Sequence, residues 1–242
     1  MRIDFLTLFP DLIRQALSHS MMARAESVEA VTFGTVNPRD FCYDRHNKVD
    51  DTPFGGEPGM LIRAEPVALA LESIGVTESS PACRTAVILT APTGQSFTQS
   101  LARDFATFDR LVFLCGHYEG FDHRVETQLS THVVSIGDYV LTNGELPALI
   151  MSDAVVRLLP HVLGSEGSLH ADSHSDGLLS APNYTRPEVW RGESVPEVLR
   201  SGNHQAIAKW RRRQALLQTQ SRRPDLLAKA RLEKSDLDVL SS

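Results

Sequence analysis

Three short stretches of the chain place glycine beside groups able to meet a ligand. They are Thr90-Ala91-Pro92-Thr93-Gly94-Gln95, Cys115-Gly116-His117-Tyr118-Glu119-Gly120, and the run Ser135-Ile136-Gly137-Asp138-Tyr139-Val140-Leu141-Thr142-Asn143-Gly144. Glycine lets a backbone approach a ligand closely and offer its N–H and C=O groups without a side chain in the way. Each glycine read alone is better explained as shaping a turn; the three stretches together favour one pocket. No G-x-G-x-x-G follows a strand pattern and no G-x-x-x-x-G-K-[ST] occurs, so a dinucleotide or nucleoside triphosphate loses its main support. Backbone-rich turns without a phosphate cradle suit a ligand such as an adenosine derivative. His170 and His174 stand four apart, the spacing of a metal pair on a helix. Their surroundings are too polar and glycine-rich for a stable helix, and no third ligand lies near, so no protein metal site is expected.

The elements that must position these turns follow from hydrophobic patterning. Apolar runs at 3–9, 31–36, 86–90, 111–115 and 133–136 are short and bounded by turn formers, as buried strands are. Helical patterns at 10–18, 64–74, 97–105, 121–129 and 146–159 lie between and after them. Strands alternating with helices predict an α/β fold with a mostly parallel sheet. In such open sheets ligands bind beyond the C-terminal strand ends, where all three glycine stretches are expected. Residues 1–163 are therefore read as one domain. Residues 164–176 have linker composition, rich in Gly, Ser, Asp and His. Residues 177–242 are read as a small helical basic domain, its best helix at 204–218 entered through Asn203 as N-cap and carrying Lys209-Trp210-Arg211-Arg212-Arg213.

Composition narrows the class. The 242 residues are 42% hydrophobic and 22% charged, ample for a globular core. No apolar run approaches the roughly 20 residues that span a bilayer. The start, Met1-Arg2-Ile3-Asp4-Phe5, has no signal-peptide pattern. Three widely spaced cysteines (Cys42, Cys83 and Cys115) build neither a disulfide framework nor a zinc cluster. A soluble cytoplasmic protein is expected, with no membrane partner. The net charge of −6 is uneven: residues 1–176 hold 12 Lys and Arg against 23 Asp and Glu, and residues 177–242 hold 12 against 7. A basic C-terminal quarter on an acidic body points to an anionic partner for that part alone, with nucleic acid the usual candidate. A charged helix face that is merely solvated explains the same run.

The motifs add a resemblance. Gly116 through Val125 and Ser135 through Pro147 closely resemble the bacterial tRNA (guanine-N1)-methyltransferases of the trefoil-knotted SPOUT superfamily. So do 49–56, Pro58-Gly59-Met60, Asp172-Ser173, Tyr184-Thr185-Arg186-Pro187, 199–204 and 222–226, in order along nearly the whole chain. Departures are few: Glu57 and Asn143 stand where members often carry glycine. The resemblance implies a deep knot, S-adenosylmethionine as methyl donor, and N1 of the guanosine at position 37 of tRNA as acceptor. It implies donor contacts from Gly116 and from Ile136, Gly137, Asp138, Tyr139, Val140 and Leu141, with Pro92, Gly94, Tyr118, Glu119, Gly120 and Gly144 lining the pocket. It makes Asp172 the general base, Arg157 the arginine that meets the guanine, and Ser173 a neighbour that helps orient the base. A magnesium dependence without a placed site is implied as well, and a homodimer in which the base crosses the interface. Two other classes remain in view, a non-enzymatic RNA-binding adaptor and a small-molecule α/β enzyme such as a dehydrogenase, together with a different RNA methyltransferase of the same superfamily.

Overall fold

The computed structural model describes residues 1–76, 84–163 and 172–241. Among the described residues of the first part of the chain, seven strands form: β1 Arg2–Leu6, β2 Thr32–Val36, β3 Asp50–Asp51, β4 Leu61–Ile62, β5 Thr85–Ser96, β6 Arg110–Cys115 and β7 His132–Ser135. Five of them make one sheet in the order β2-β1-β6-β5-β7, and every neighbouring pair is parallel. β3 and β4 form a small antiparallel pair.

Side chains alternate across the sheet, so each strand feeds two apolar clusters. Ile3, Phe5, Ile88, Leu111 and Phe113 enter one; Leu6, Val87, Leu89, Val112 and Leu114 enter the other. Helices α1 (Pro10–Leu17), α2 (Ser20–Ser27), α4 (Gln99–Phe105) and α6 (Glu145–Val156) close the first face, and α3 (Ala64–Ser73) and α5 (His123–Leu129) close the second. This is the three-layer arrangement a parallel sheet requires, because both of its faces are apolar. Inside the sheet sits one carboxylate: Asp4 is 2% exposed and is held by Arg110 at 2.5 Å and by Arg2 at 2.9 Å. Gly34 on β2 leaves room for it, since a Cβ there would strike Asp4 Oδ1.

β5 departs from expectation. It continues to Ser96, and both Thr90 and Gln95 pair with Val134 of β7, so residues 91–94 leave the ladder and return to it. The first glycine stretch therefore interrupts a strand rather than following one. Gly94 is where this excursion presses on β7, and a Cβ there would meet the backbone of Val133 and Val134.

The chain divides into two compact units, Met1–Gly164 and Ser165–Ser242. The second is built on α7 (His204–Arg222), with α8 (Pro224–Leu227) and α9 (Lys234–Leu240). Asn203 caps α7, its side chain accepting from the Ala206 N–H at 3.1 Å. A short hairpin of β8 (Val189–Trp190) and β9 (Glu193–Ser194) adds strand to a unit the sequence describes as helical. On α7 Arg212 faces inward. It donates to Asp236 at 3.0 and 2.7 Å and to Asp176 at 2.7 Å, and Asp236 is only 3% exposed.

Candidate active site

The three glycine stretches meet. A cavity of about 340 Å³ opens at the C-terminal ends of β5, β6 and β7, which are adjacent in the sheet. It is lined by residues 89–93, 116–123, 134–136 and 139–144, with Glu126 and Pro147. Of the residues expected there, Pro92, Gly116, Tyr118, Glu119, Gly120, Ile136, Tyr139, Val140, Leu141 and Gly144 line it. Gly94, Gly137 and Asp138 do not. Gly137 has φ +154°, and a Cβ there would run into the Tyr139 ring, so its part is to shape the loop.

The walls are tied by backbone. Gly144 donates its N–H to the Gly116 carbonyl at 2.8 Å, and His117 bridges Asn143 in antiparallel fashion. A Cβ on Gly144 would collide with Thr90 Oγ1 and with the backbone of Cys115 and Gly116; only glycine permits this approach. The 116–120 turn closes through a Gly120 N–H to His117 carbonyl bond of 2.9 Å. Tyr118 holds φ +61° in that turn, a left-handed conformation costly for a bulky residue and characteristic of functional sites. Gly59 lies against the Glu119 side chain, and Glu119 donates its N–H to the Met60 carbonyl at 3.1 Å.

Beneath the walls lies a polar chain that sequence reading missed. Glu145, the first residue of α6, is fully buried. It accepts from Thr7 Oγ1 at 2.5 Å, and His117 Nε2 stands 2.8 and 2.9 Å from its two oxygens. The position suits a carboxylate, because the helix N-terminus presents unsatisfied N–H groups and a positive dipole end. Phe9 packs on the His117 ring at 4.9 Å. Burial, with the nearby Glu145 charge, pushes the Cys115 thiol well above its ordinary range, so Cys115 remains a neutral packing group.

The electrostatics of the cavity are one-sided. Glu119, Asp122 and Glu126 line it, whereas no lysine or arginine among the described residues does. Asp122 caps α5 and is bound by Arg124 at 2.8 and 2.6 Å; these bonds hold its carboxyl down at about 2. Arg124 is thus engaged by Asp122. Asn143 Oδ1 is buried in the wall without a hydrogen-bond partner among the described residues. An acid-walled cavity with an orphaned acceptor and open main-chain groups fits a cationic ligand carrying hydrogen-bond donors. It would repel a phosphate.

The remaining expected residues are Arg157, Asp172 and Ser173. Arg157 forms the C-cap of α6 and is half-buried. Asp172 and Ser173 belong to the second unit. The Asp172 carbonyl accepts from Ser175, and the Ser173 hydroxyl engages the Ser180 N–H and hydroxyl at 2.9 and 3.0 Å. Of the histidine pair considered for a metal, His170 lies outside the described residues.

Known proteins supply the context for this geometry. The family described as tRNA (guanine-1)-methyltransferase TrmD matches residues 1–229. A tRNA (guanine-N(1)-)-methyltransferase of Staphylococcus carnosus is 49% identical over 242 residues, covering 100% of this chain and 97% of the relative. One of Dehalococcoides mccartyi is 50% identical over 240 residues, covering 99% and 96%. One of Staphylococcus aureus strain Newman is 49% identical over 240 residues with the same coverage. With a match that runs through both compact units and relatives aligned almost end to end, the chain belongs to the tRNA (guanine-1)-methyltransferase family.

Proposed function

We propose that this chain transfers a methyl group from S-adenosylmethionine to N1 of the guanosine at position 37 of tRNA. The observation that carries the reading is the acid-walled cavity across three adjacent strand ends, in a chain of this family. Bound there, S-adenosylmethionine supplies an electrophilic methyl group on a cationic sulfur. Main-chain groups of Gly116, Ile136 and 139–141 meet the adenosine part, and Asn143 Oδ1 is available to accept from an amino or hydroxyl group. Glu119 and Glu126 favour the positive charge. Gly94, Gly137 and Asp138 shape or flank the loops.

Guanine N1 carries a proton, and its lone pair becomes available only as that proton leaves. The chain must therefore place a base at N1 and a cation near O6, where negative charge gathers. Asp172 takes the proton at N1. Arg157 steadies the charge at O6. Ser173 and Ser180 fix the backbone beside the base. Among the described residues no group of three His, Cys, Asp or Glu side chains converges to hold a metal.

The active form is proposed to be a homodimer whose second copy supplies Asp172. What supports it is an exposed apolar strip beside the cavity: Val140 is 82% exposed, and Leu141, Leu146 and Ile150 continue it. Sedimentation that finds only monomer at micromolar concentration counters the dimer. The activity itself is tested by incubating the chain with methyl-labelled donor and an unmodified tRNA transcript, then digesting one portion of the RNA to nucleosides to identify the base and another with a base-specific ribonuclease to map its position by mass spectrometry. Label in 1-methylguanosine at position 37 supports the reading; label elsewhere, or none, overturns it.

A further inference from the structure

A second cleft, of about 450 Å³, lies within the second unit. It is built from the motif segments that neither the donor cavity nor proton transfer uses. Asn183 and Tyr184 form one wall, Leu199 another, and His204, Ile207 and Arg211 of α7 the third. Positions 204, 207 and 211 follow the i, i+3, i+7 spacing and share one helix face. Leu199 and Ile207 make part of the lining apolar, while Asn183, His204 and Arg211 supply polar groups. Among the described residues no carboxylate lines the cleft.

Tyr184 leans on Trp210 with ring centres 6.3 Å apart, yet remains 49% exposed. Arg211 contrasts with its neighbour. Arg212 is consumed by Asp176 and Asp236, whereas Arg211 is exposed and makes no hydrogen bond or ion pair with any of the described residues. The cleft thus joins an exposed aromatic ring, an available guanidinium and an amide that both donates and accepts, in a unit with 12 basic against 7 acidic residues from Gly177 onward. These are the parts of a single-strand nucleic-acid site, in which a ring stacks on an aromatic side chain and a phosphate meets arginine.

We infer that this cleft takes one unpaired nucleotide of the RNA substrate, its base stacked on Tyr184 and its phosphate against Arg211. The inference rests on the RNA reading above and adds a subsite to it. A protein partner would be indifferent to phosphate; an RNA partner makes both Tyr184 and Arg211 matter, in different ways.

The test uses the full-length chain and the unmodified transcript. Affinity is measured across a salt series, methyl transfer at saturating RNA, and donor binding by calorimetry. Tyr184→Leu, which keeps bulk against Trp210, should weaken RNA binding by roughly 5- to 150-fold. Tyr184→Phe, which keeps the ring, should stay within about two-fold of wild type. Arg211→Gln should lower the slope of log affinity against log salt by roughly 0.7–0.9, because one phosphate fewer is neutralised. Turnover at saturating RNA and donor affinity should be unchanged in all three. The cleft is overturned if wild type methylates the transcript while Tyr184→Leu binds it as tightly. It is overturned equally if Tyr184→Phe binds as poorly as Tyr184→Leu. A wild-type chain that binds the transcript and shows these variant effects but transfers no methyl group supports the cleft and overturns the proposed activity instead.

Discussion

In the first unit the cavity is walled by close-packed glycine-bearing loops that carry three carboxylates, braced from below by the buried Thr7–Glu145–His117 chain. In the second unit the groups on offer are the exposed ring of Tyr184 and cations along α7, and Arg212, the cation that turns inward there, is tied down by carboxylates. The difference is one of what a mutation reaches. A cavity whose walls meet at glycines is damaged by adding atoms to them, and the damage falls on a small ligand. A surface made of side chains is damaged by removing charge or ring area, and the damage is graded and dependent on salt.

The largest effect is expected where the second unit contributes chemistry rather than grip. Asp172→Asn should cut single-turnover methyl transfer by roughly 10²–10⁴-fold while donor affinity, measured by calorimetry, stays within a few-fold. A variant keeping more than about half of wild-type turnover removes Asp172 from the role of base. Next comes the cavity wall. Gly144→Ala forces a Cβ against Thr90 and the Gly116 backbone, and the overpacking of about 1–3 kcal/mol should weaken donor binding by roughly 5- to 150-fold. Equal donor affinity in a folded Gly144→Ala chain would show that the walls need not touch.

Arg212→Gln belongs to the second unit but should act on stability. It strands the buried Asp236 carboxylate, at a cost of about 1–3 kcal/mol in urea melts near neutral pH. Arg212 holds the Asp236 carboxyl below its ordinary 3.8, so the stability from this pair is full above that value and is lost as pH falls through the lower, folded value. The gap between wild type and variant should therefore close in acid; a gap that is constant with pH contradicts the assignment. The smallest effect is expected for Arg213→Gln, an exposed change on α7 that should lower RNA affinity about two- to three-fold, with a shallower salt slope.

Much of the first unit was legible because its signals are local. Short apolar runs ending in glycine placed the 116–120 and 135–144 turns at the right strand ends. The 90–95 stretch was harder. Period-two alternation marks a strand but says nothing of a register jump, so the return of β5 to the ladder at Gln95 could not be read. Glu145 was missed because an acid opening a helix is ordinary. Its burial arises only when Thr7, 138 residues away, and His117, 28 residues away, converge on it. In the arginine run all three residues look alike in sequence. Helical spacing to the buried Leu216 and Thr219 is the signal that turns Arg212 inward. Asp172 carried no local signal in a polar stretch, and its role, like the knot, rests on the resemblance.

The division of labour between the units is tested most directly by a chain ending at Gly164, checked for folding by circular dichroism. All strand ends and glycine turns of the cavity precede that point. The truncated chain should bind S-adenosylmethionine within a few-fold of the full-length affinity, while its affinity for the tRNA transcript falls by at least about 100-fold, as expected when several phosphates are left without a cation. A folded truncated chain that still binds the transcript tightly, or that no longer binds the donor, contradicts the account.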